Sequence, residues 1–464
     1  MSGSPVVAVV GGGASGALAA VHLLREARAR SLTLEVVLID RYGRHALGQA
    51  YSTADPHHLL NTSADKMSAL HDDPAHLLTW ARGNGLDLAG SDFLPRGDYG
   101  RYLRDVLADA EDVPARVVRR VTATATGLTR PAGGHGVRVE LAGGEWIDAD
   151  AAVLALGNRA PAAWPQIVDA DTPRYVADPW APDALAGICD GTPVLVIGTG
   201  LTMVDIAVTV TRARPDAVVY AVSRHGLLPR RHPDPLPVPV PTPIQDGPLP
   251  LAGLLRAVRL AVRDNGGDWA GVVDGLRSHA PGLWTRLSPA DQRRFLNLAA
   301  RFWEVHRHRI PPVTAARIAE LRDGGRLRVL RGQVIRSTAA PGGLHVHVGV
   351  DGAVQVLDVG WLVNATGPGS DIGRDPFLAR LIEAGDARPD RLRLGLDAGR
   401  GGAVLDAEGR SDGRVVTLGP LLRGTLYETT AIPEIRAQAA AIAPRLIETI
   451  AAPVSVSLTA EPEF

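Results

Sequence analysis

The sequence predicts an α/β fold made of two strand–turn–helix–strand units with a helical insert between their later parts. Three observations carry this. The chain opens with "VVAVVGGGASGALAA", it repeats the same pattern at "PVLVIGTGLTMVDIA", and two later strands, "AVLALGN" and "WLVNATG", each end in a glycine segment that suits a crossing between the two units. Together they describe two Rossmann-like dinucleotide-binding domains in one chain.

Taken in order, residues 6–40 read as strand, turn, helix and strand, one complete βαβ unit. The stretch from 42 to 74 is irregular and rich in His, Asn, Asp and Ser, as befits a loop lying against a ligand. Helices are expected at "AHLLTWARGNG" and "DYGRYLRDVLADA". A meander of short β runs over 117–158 then returns to the sheet. The second unit spans "VLVIGTG", "LTMVDIAVTVTRA" and "AVVYAVSR". The proline-rich segment 228–250 must be an extended connection. Three helical patterns come next, at 251–266, 269–284 and 288–309. Strands resume at "LRVLRGQVIRST", "LHVHVGV", "VGWLVNATG" and "GRVVTLGP", and the chain closes on the helix "AIPEIRAQAAAIAPRLIETIA". The expected division is 1–165 and 356–464 for the first domain, 166–235 and 311–355 for the second, with the connection and insert at 236–310.

Bulk composition narrows the function. A net charge of -1 with basic residues spread along the chain gives no footprint for nucleic acid. Lys66 is the only lysine among 49 basic residues, and Cys189 is the only cysteine, which excludes disulfides, CxxC redox pairs and Cys-rich zinc sites. The apolar run Val6–Leu24 lacks a preceding basic residue and is interrupted by four glycines, so it reads as neither a signal peptide nor an anchor. A cytoplasmic protein without membrane partners is expected; whether identical chains assemble stays open. The run His306, Arg307, His308, Arg309 suggests a metal or phosphate site, but adjacent helical residues face different sides and no ligand set completes it. No metal is expected there. A basic helix C-terminus is the plainer reading, a place near the nicotinamide phosphate or the substrate mouth the other.

In the first turn Gly11, Gly13 and Gly16 hold the GxGxxG spacing between a strand and a helix. The first allows the tight turn, the second lets backbone approach a pyrophosphate, and the third lets helix and strand pack closely. The phosphate would rest on the helix N-terminus, which Ser15 helps to open. Asp40, ending the second strand and followed by Arg41, is placed to accept ribose hydroxyls. The second turn keeps Gly198 and Gly200 ahead of Leu201, Thr202 and Asp205, with Val204 near the third glycine's place. No acid ends the next strand. Ser223 and Arg224 stand there instead, a hydroxyl and a guanidinium suited to a 2′-phosphate, so this half favours NADPH over NADH. An ordinary surface arginine is the alternative. Two dinucleotide sites of different chemistry imply a flavoenzyme: FAD in the first, NADPH in the second to reduce it. Gly157 and Gly367, closing the crossing strands, join the cofactor-binding candidates.

The pieces "GGGASGA", "GQAYSTADPHHLLNTSADKMSAL", "FLPRGDYGRYL", "VIGTGLTMVD", "SRHGLLPR", "VNATGP" and "RGTLYETTAIPEIRAQA" span nearly the whole chain. They resemble flavin monooxygenases and N-hydroxylases, and more narrowly the bacterial FAD-NAD(P)-binding family with FAD-dependent urate hydroxylases and aspartate N-hydroxylases. The loop "LLNTSADKMSALHDDP" is similar to the segment of ornithine N-hydroxylases that passes the flavin. That similarity implies Asn61 near the isoalloxazine and Lys66 on a substrate carboxylate; without it, Lys66 reads as a solvated loop charge. Gly419-Pro420 replaces the Gly-Asp with which many flavoproteins reach the ribityl chain, leaving that role to the "LLRGTLYE" backbone. Glu428, Thr430 and Ile432 fall in the resembling C-terminal piece, and the helix starting near Ile432 would aim its N-terminus at the flavin pyrimidine edge.

The resemblance implies a monooxygenase in which NADPH reduces FAD and a flavin hydroperoxide passes oxygen to a small nitrogen-containing substrate, an aspartate-like amino acid being favoured. A urate hydroxylase, an NADPH:acceptor reductase or oxidase without oxygen transfer, and a non-catalytic flavin sensor are the rivals.

Overall fold

The structure, a computed structural model, describes residues 4–131, 136–168, 172–244, 246–369 and 371–451. Its first sheet holds five parallel strands in the order Val415–Thr417, Ala151–Leu154, Val6–Val10, Leu34–Asp40, Arg116–Thr122. Strands covered on both faces need no polar alternation, which is why Val6–Val10 reads as an unbroken apolar run. Val7 and Val9 face one core with the helices Ala14–Ala29 and Ile432–Ala451. Ala8 and Val10 face the other, against the antiparallel strands Ala125–Thr129, Val137–Leu141 and Trp146–Ala149 and the helix Pro376–Glu383. The 117–158 meander thus divides: its first and last strands lie in the parallel sheet, and the three between them form a separate cover.

The second sheet has seven strands, Ala353–Val359, Gly343–Val350, Leu327–Ala340, Val219–Ser223, Val194–Ile197, Trp361–Asn364 and Tyr175–Val176 in spatial order. From Leu327–Ala340 onward its pairs are parallel, while the first three strands form an antiparallel extension. One expected boundary is corrected here. Trp361–Asn364 pairs with Val194–Ile197, so the second sheet's chain runs past 355, and 356 does not mark a return to the first domain. Val354 and Val356 are exposed on the edge strand, leaving no one-sided apolar pattern to announce it.

Two of the expected insert helices divide. The 269–284 pattern breaks into Trp269–Arg277 and Ala280–Arg286, and 288–309 passes through a π-helical turn at Phe295–Ala299. Asp268 and Ser288 start their helices by accepting the Gly271 and Asp291 amides. The insert docks on the segment before the last helix: Trp284 stacks on Tyr427 at 4.7 Å between ring centroids and donates its indole N–H to the Gly424 carbonyl. Among the described residues, no helix is long and apolar enough to cross a membrane.

Candidate active site

The two glycine turns share one geometry. Gly11 has φ +105° and Gly198 φ +121°, and a Cβ on either would lie 2.2 Å from a carbonyl oxygen of the neighbouring strand's end, Ala155 in one unit and Ala365 in the other. Only glycine fits such a place. Gly13 and Gly200 then enter their helices with nearly the same torsions, φ -72° and -82°, both with ψ -163°. Neither helix has an acid in its first turn, so both positive N-termini are left for an anion. A Cβ on Gly16 would stand 2.0 Å from the Gly11 carbonyl oxygen, the close packing expected of the third glycine.

These turns fit the two dinucleotides. The space beside Gly200 is open to 4 Å, and Gly13 is approached by the Gly48 Cα, 3.1 Å from where its Cβ would be. Asp40 spends one oxygen on the Tyr42 and Arg44 amides, both at 2.9 Å, and none of these bonds uses the other. Arg41 is exposed and lies over the Tyr42 ring. Gly419 reaches the same turn: with φ +72°, its Cβ would be 3.2 Å from the Ser15 hydroxyl, while its N–H donates to Gln438. In the second unit Ser223 bonds Thr199 and the Gly226 amide. Arg224 is exposed beside it, and Arg331 and Arg301 bring further positive charge. Slight desolvation together with the charges of Arg301, Arg224 and Arg331 lowers the pKa of exposed His225. Sequence reading found only Arg224, because Arg301 comes from the insert and Arg331 from the next strand.

Beside the second turn lies a cavity of about 460 Å³, with no residue of the first turn in its wall. Of the residues singled out in the sequence, Asn61, Gly200, Leu201, Thr202, Asp205, Gly367, Glu428, Thr430 and Ile432 line it. Gly157, at φ +68°, directly precedes the lining residues Asn158 and Arg159. The start of the last helix, Ile432, is therefore in the cavity wall, and Glu304 and His308 of the insert close another side. Lys66 is half-buried on the turn Ala64–Lys66 but does not line the cavity, whereas its neighbour Met67 does. Among the described residues no carboxylate is ion-paired with Lys66.

The carbonyl of Asn61 accepts the Nε2–H of His232 at 3.0 Å. Burial, together with Arg309 and Lys66, outweighs that bond and lowers His232 to about 4. Its Nδ1 is buried without a partner, as a neutral ring allows. Asp205 is a cavity residue whose carboxylate is occupied by Arg96, at 2.7 Å. Beside it, His58 bonds Thr209 at 2.8 Å, and Thr209 donates to Asp55. Glu428, in the cavity wall, accepts the Trp303 indole N–H at 2.6 Å and is ion-paired with Arg307 at 3.2 Å. The histidine–arginine run splits as helical geometry requires: His306 bonds the Phe302 carbonyl, Arg307 meets Glu428, His308 meets Glu304, and buried Arg309 meets Asp274. Among the described residues no cluster of His, Cys, Asp and Glu is arranged for a metal.

Residues 8–159 match the FAD-NAD(P)-binding family model. No curated protein matches the chain. Among solved structures, L-lysine 6-monooxygenase from Pseudomonas syringae superposes with a TM-score of 0.66 at 16% identity, covering 96% of this chain and 100% of the other. Ornithine hydroxylase from Pseudomonas aeruginosa gives 0.62 at 16% identity, covering 96% and 99%. An ornithine N-hydroxylase from Kutzneria, solved with reduced FAD, NADP⁺ and L-ornithine, gives 0.60 at 17% identity, covering 97% and 99%. The likeness at this identity establishes a shared two-dinucleotide-domain fold.

Proposed function

We propose that the chain is an NADPH-dependent FAD monooxygenase that N-hydroxylates a small amino acid, with an aspartate-like substrate favoured. The observation that carries this is a cavity walled together by the second glycine turn, by Asn61 and Ile432 of the first domain, and by the insert. A hydride donor, an acceptor ring and a small third molecule can meet there. Support also comes from the fold shared with enzymes whose names state N-hydroxylation of ornithine and monooxygenation of lysine.

In this reading Gly11, Gly13, Ser15, Gly16, Asp40 and Arg41 hold FAD, with Gly157, Gly419, Glu428, Thr430 and Ile432 completing its surroundings. Gly198, Gly200, Leu201, Thr202, Ser223 and Arg224 hold NADPH, with Arg331 and Arg301 adding charge for the 2′-phosphate; Asp205 and Gly367 shape the wall between the two sites. Bound FAD supplies activated oxygen from O₂ at the expense of NADPH. The chain's part is to orient the substrate and keep water out, with Asn61 bonding near the ring and Lys66 holding a carboxylate. The unpaired charge of Lys66 supports the last role.

The test is a survey of small molecules for one that stimulates NADPH oxidation while suppressing H₂O₂ release, beginning with L-aspartate and then urate. Hydroxylamine formation matching NADPH consumed is expected with an amino acid. Coupled turnover of urate instead, or full conversion of NADPH to H₂O₂ with every candidate, would overturn the reading.

A further inference from the structure

We propose that His308, oriented by Glu304, is the base that takes the proton of the substrate's ammonium group before oxygen transfer. This rests on the N-hydroxylation proposed above and adds the residue that such a reaction needs. An aliphatic amine is an ammonium ion at neutral pH, its pKa being about 10. An ammonium has no lone pair to receive oxygen. The cavity must therefore contain a proton acceptor.

The groups lining it leave one. Arg96, Arg159 and Arg423 only donate. Asp205 is held by Arg96, and Glu428 by Trp303 and Arg307. Asp178, in the cavity wall, accepts the Trp180 amide at one oxygen, and Glu304, also in the wall, is bonded by His308 and Tyr427; an ionised carboxylate is in any case a weaker base than imidazole. Burial raises the Tyr51 and Tyr427 hydroxyls far above neutrality, and both stay protonated. His308 is the only histidine lining the cavity among the described residues. Imidazole is the side chain whose chemistry suits proton transfer near neutral pH.

Its ring is also set the right way round. Nε2 lies 3.1 Å from the Glu304 carboxylate. An ionised carboxylate only accepts, so Nε2 carries the hydrogen and the Nδ1 lone pair is left for the substrate. Burial works against ionisation of Glu304, but the bond from His308, the charge that ring carries once it is protonated, the charge of Arg423 and the Tyr427 hydroxyl outweigh it and hold the carboxyl at about 2. The charged and titratable groups around His308 are thus Glu304 on the helix that His308 caps, Arg423, Tyr427 and Glu428 from the docking segment, Arg159 and Asp178 elsewhere in the cavity wall, and Arg230, whose backbone pairs with Val305 and Ile310. Tyr427 is held at φ 62°, ψ -65°, a costly conformation for a non-glycine residue. The Trp284 stack and the Glu304 bond fix it there.

The step balances. An N–H bond of R–NH₃⁺ breaks and Nδ1–H forms; the N–O bond then forms as the O–O bond breaks, with two electrons supplied by NADPH. The proton on His308 ends in water. Overall, R–NH₃⁺, NADPH and O₂ give R–NHOH, NADP⁺ and H₂O. Glu304, though also in the cavity wall, acts here through His308 as a positioning residue.

The experiment measures hydroxylamine formed per NADPH consumed, as a function of pH, in the flavin-loaded enzyme and in His308→Ala, His308→Asn and Glu304→Gln. His308→Asn keeps a donor for Glu304 but has no base, which guards against a folding defect in the alanine variant. Both His308 variants should lose about a hundredfold in hydroxylamine rate at pH 7. They should regain it as pH approaches the amine's own pKa, or when imidazole is added. Glu304→Gln should move the acid limb of the profile to lower pH, because a neutral amide no longer favours the imidazolium. Ring ¹⁵N NMR supplies a readout independent of turnover: the Nε2–H tautomer of His308 in the parent, and loss of that preference in Glu304→Gln. An unchanged pH profile in His308→Asn, or an Nδ1–H tautomer in the parent, would overturn the proposal while N-hydroxylation stands. A parent enzyme that hydroxylates no amine would instead overturn the function itself, and this role with it.

Discussion

Arg96 and Asp205 meet at 2.7 Å with side chains only 13% and 8% exposed, so one ion pair joins the helix Arg96–Ala110 of the first domain to Leu201–Ala213 of the second. The Arg96 guanidinium also bonds the Leu59 carbonyl and lies 5.9 Å from the Trp180 ring. The His58–Thr209 bond crosses the same interface. The two glycine-turn units are therefore held in one relative position by side chains of which Arg96 and Asp205 also line the cavity.

Arg96→Ala is expected to lower stability by about 3 to 5 kcal/mol, since it strands a buried carboxylate. Thermal unfolding should register this, and stopped-flow spectra should show slower NADPH-dependent flavin reduction once the two halves are no longer pinned. The double variant Arg96→Met, Asp205→Leu should recover stability without recovering the reduction rate. Full stability in Arg96→Ala would mean that the pair is solvated and mechanically idle.

Gly13→Val should purify colourless while the other domain still binds NADPH. Its Cβ would stand 3.1 Å from the Gly48 Cα, and its methyl groups would take the space through which a pyrophosphate approaches the turn. Flavin content by absorbance decides the matter; a fully yellow variant would remove FAD from this turn.

Arg224→Ala should weaken NADPH far more than NADH. A charge-assisted contact to the 2′-phosphate is worth roughly 1.5 to 3 kcal/mol, a loss of about tenfold or more. Arg331→Ala should show the same selectivity at smaller size, its charge being shared with Arg224 and Arg301 around His225. Equal losses for the two nucleotides would place the 2′-phosphate elsewhere.

Lys66→Ala should raise the KM of an amino-acid substrate strongly, with flavin content and NADPH-dependent flavin reduction close to the parent. Stranding a desolvated carboxylate costs about 2 to 5 kcal/mol, and the misplaced substrate should let more H₂O₂ escape. Unchanged KM and coupling would leave Lys66 as a solvated loop charge, consistent with its place beside the cavity lining.

Stability should fall as pH drops from 6.5 toward 4. Burial is the main reason that His22 and His232 are both lowered to about 4, so both are neutral in the folded state while the unfolded chain already takes up protons near 6.5. Their neutral form is fully compatible with folding above 6.5, and the penalty grows by about 1.4 kcal/mol per pH unit for each ring below it. Calorimetric unfolding at pH 5 in buffers of different ionisation enthalpy should show proton uptake, reduced by about one proton in His22→Leu. Absence of uptake would mean that the rings are charged in the folded protein.

Several features were legible from the sequence because their physics is local. Gly11, Gly13 and Gly16 announce a turn by their spacing between a strand and a helix, and Gly198 and Gly200 repeat it, although the carbonyls that bar a Cβ at Gly11 and Gly198 come from distant Ala155 and Ala365. The apolar run Val6–Val10 and the helix from Ile432 follow from periodicity alone. Other features depend on pairings across the chain that no window of sequence contains. Trp361–Asn364 reads as a buried strand, but only its pairing with Val194–Ile197 assigns it to the second sheet. Arg96 reads as one arginine among many until Asp205 arrives 109 positions later in the chain to neutralise it. Arg224 could be named from the strand end, but Arg331 and Arg301 joined it only when a neighbouring strand and the insert folded back. Glu304 and His308 have the one-turn spacing of helical neighbours, visible from the start. That this pair faces the cavity was decided by the docking of Trp284 and Trp303 onto the segment before the last helix, because burying large apolar surface fixes a helix's rotation and leaves its polar face wherever the packing puts it.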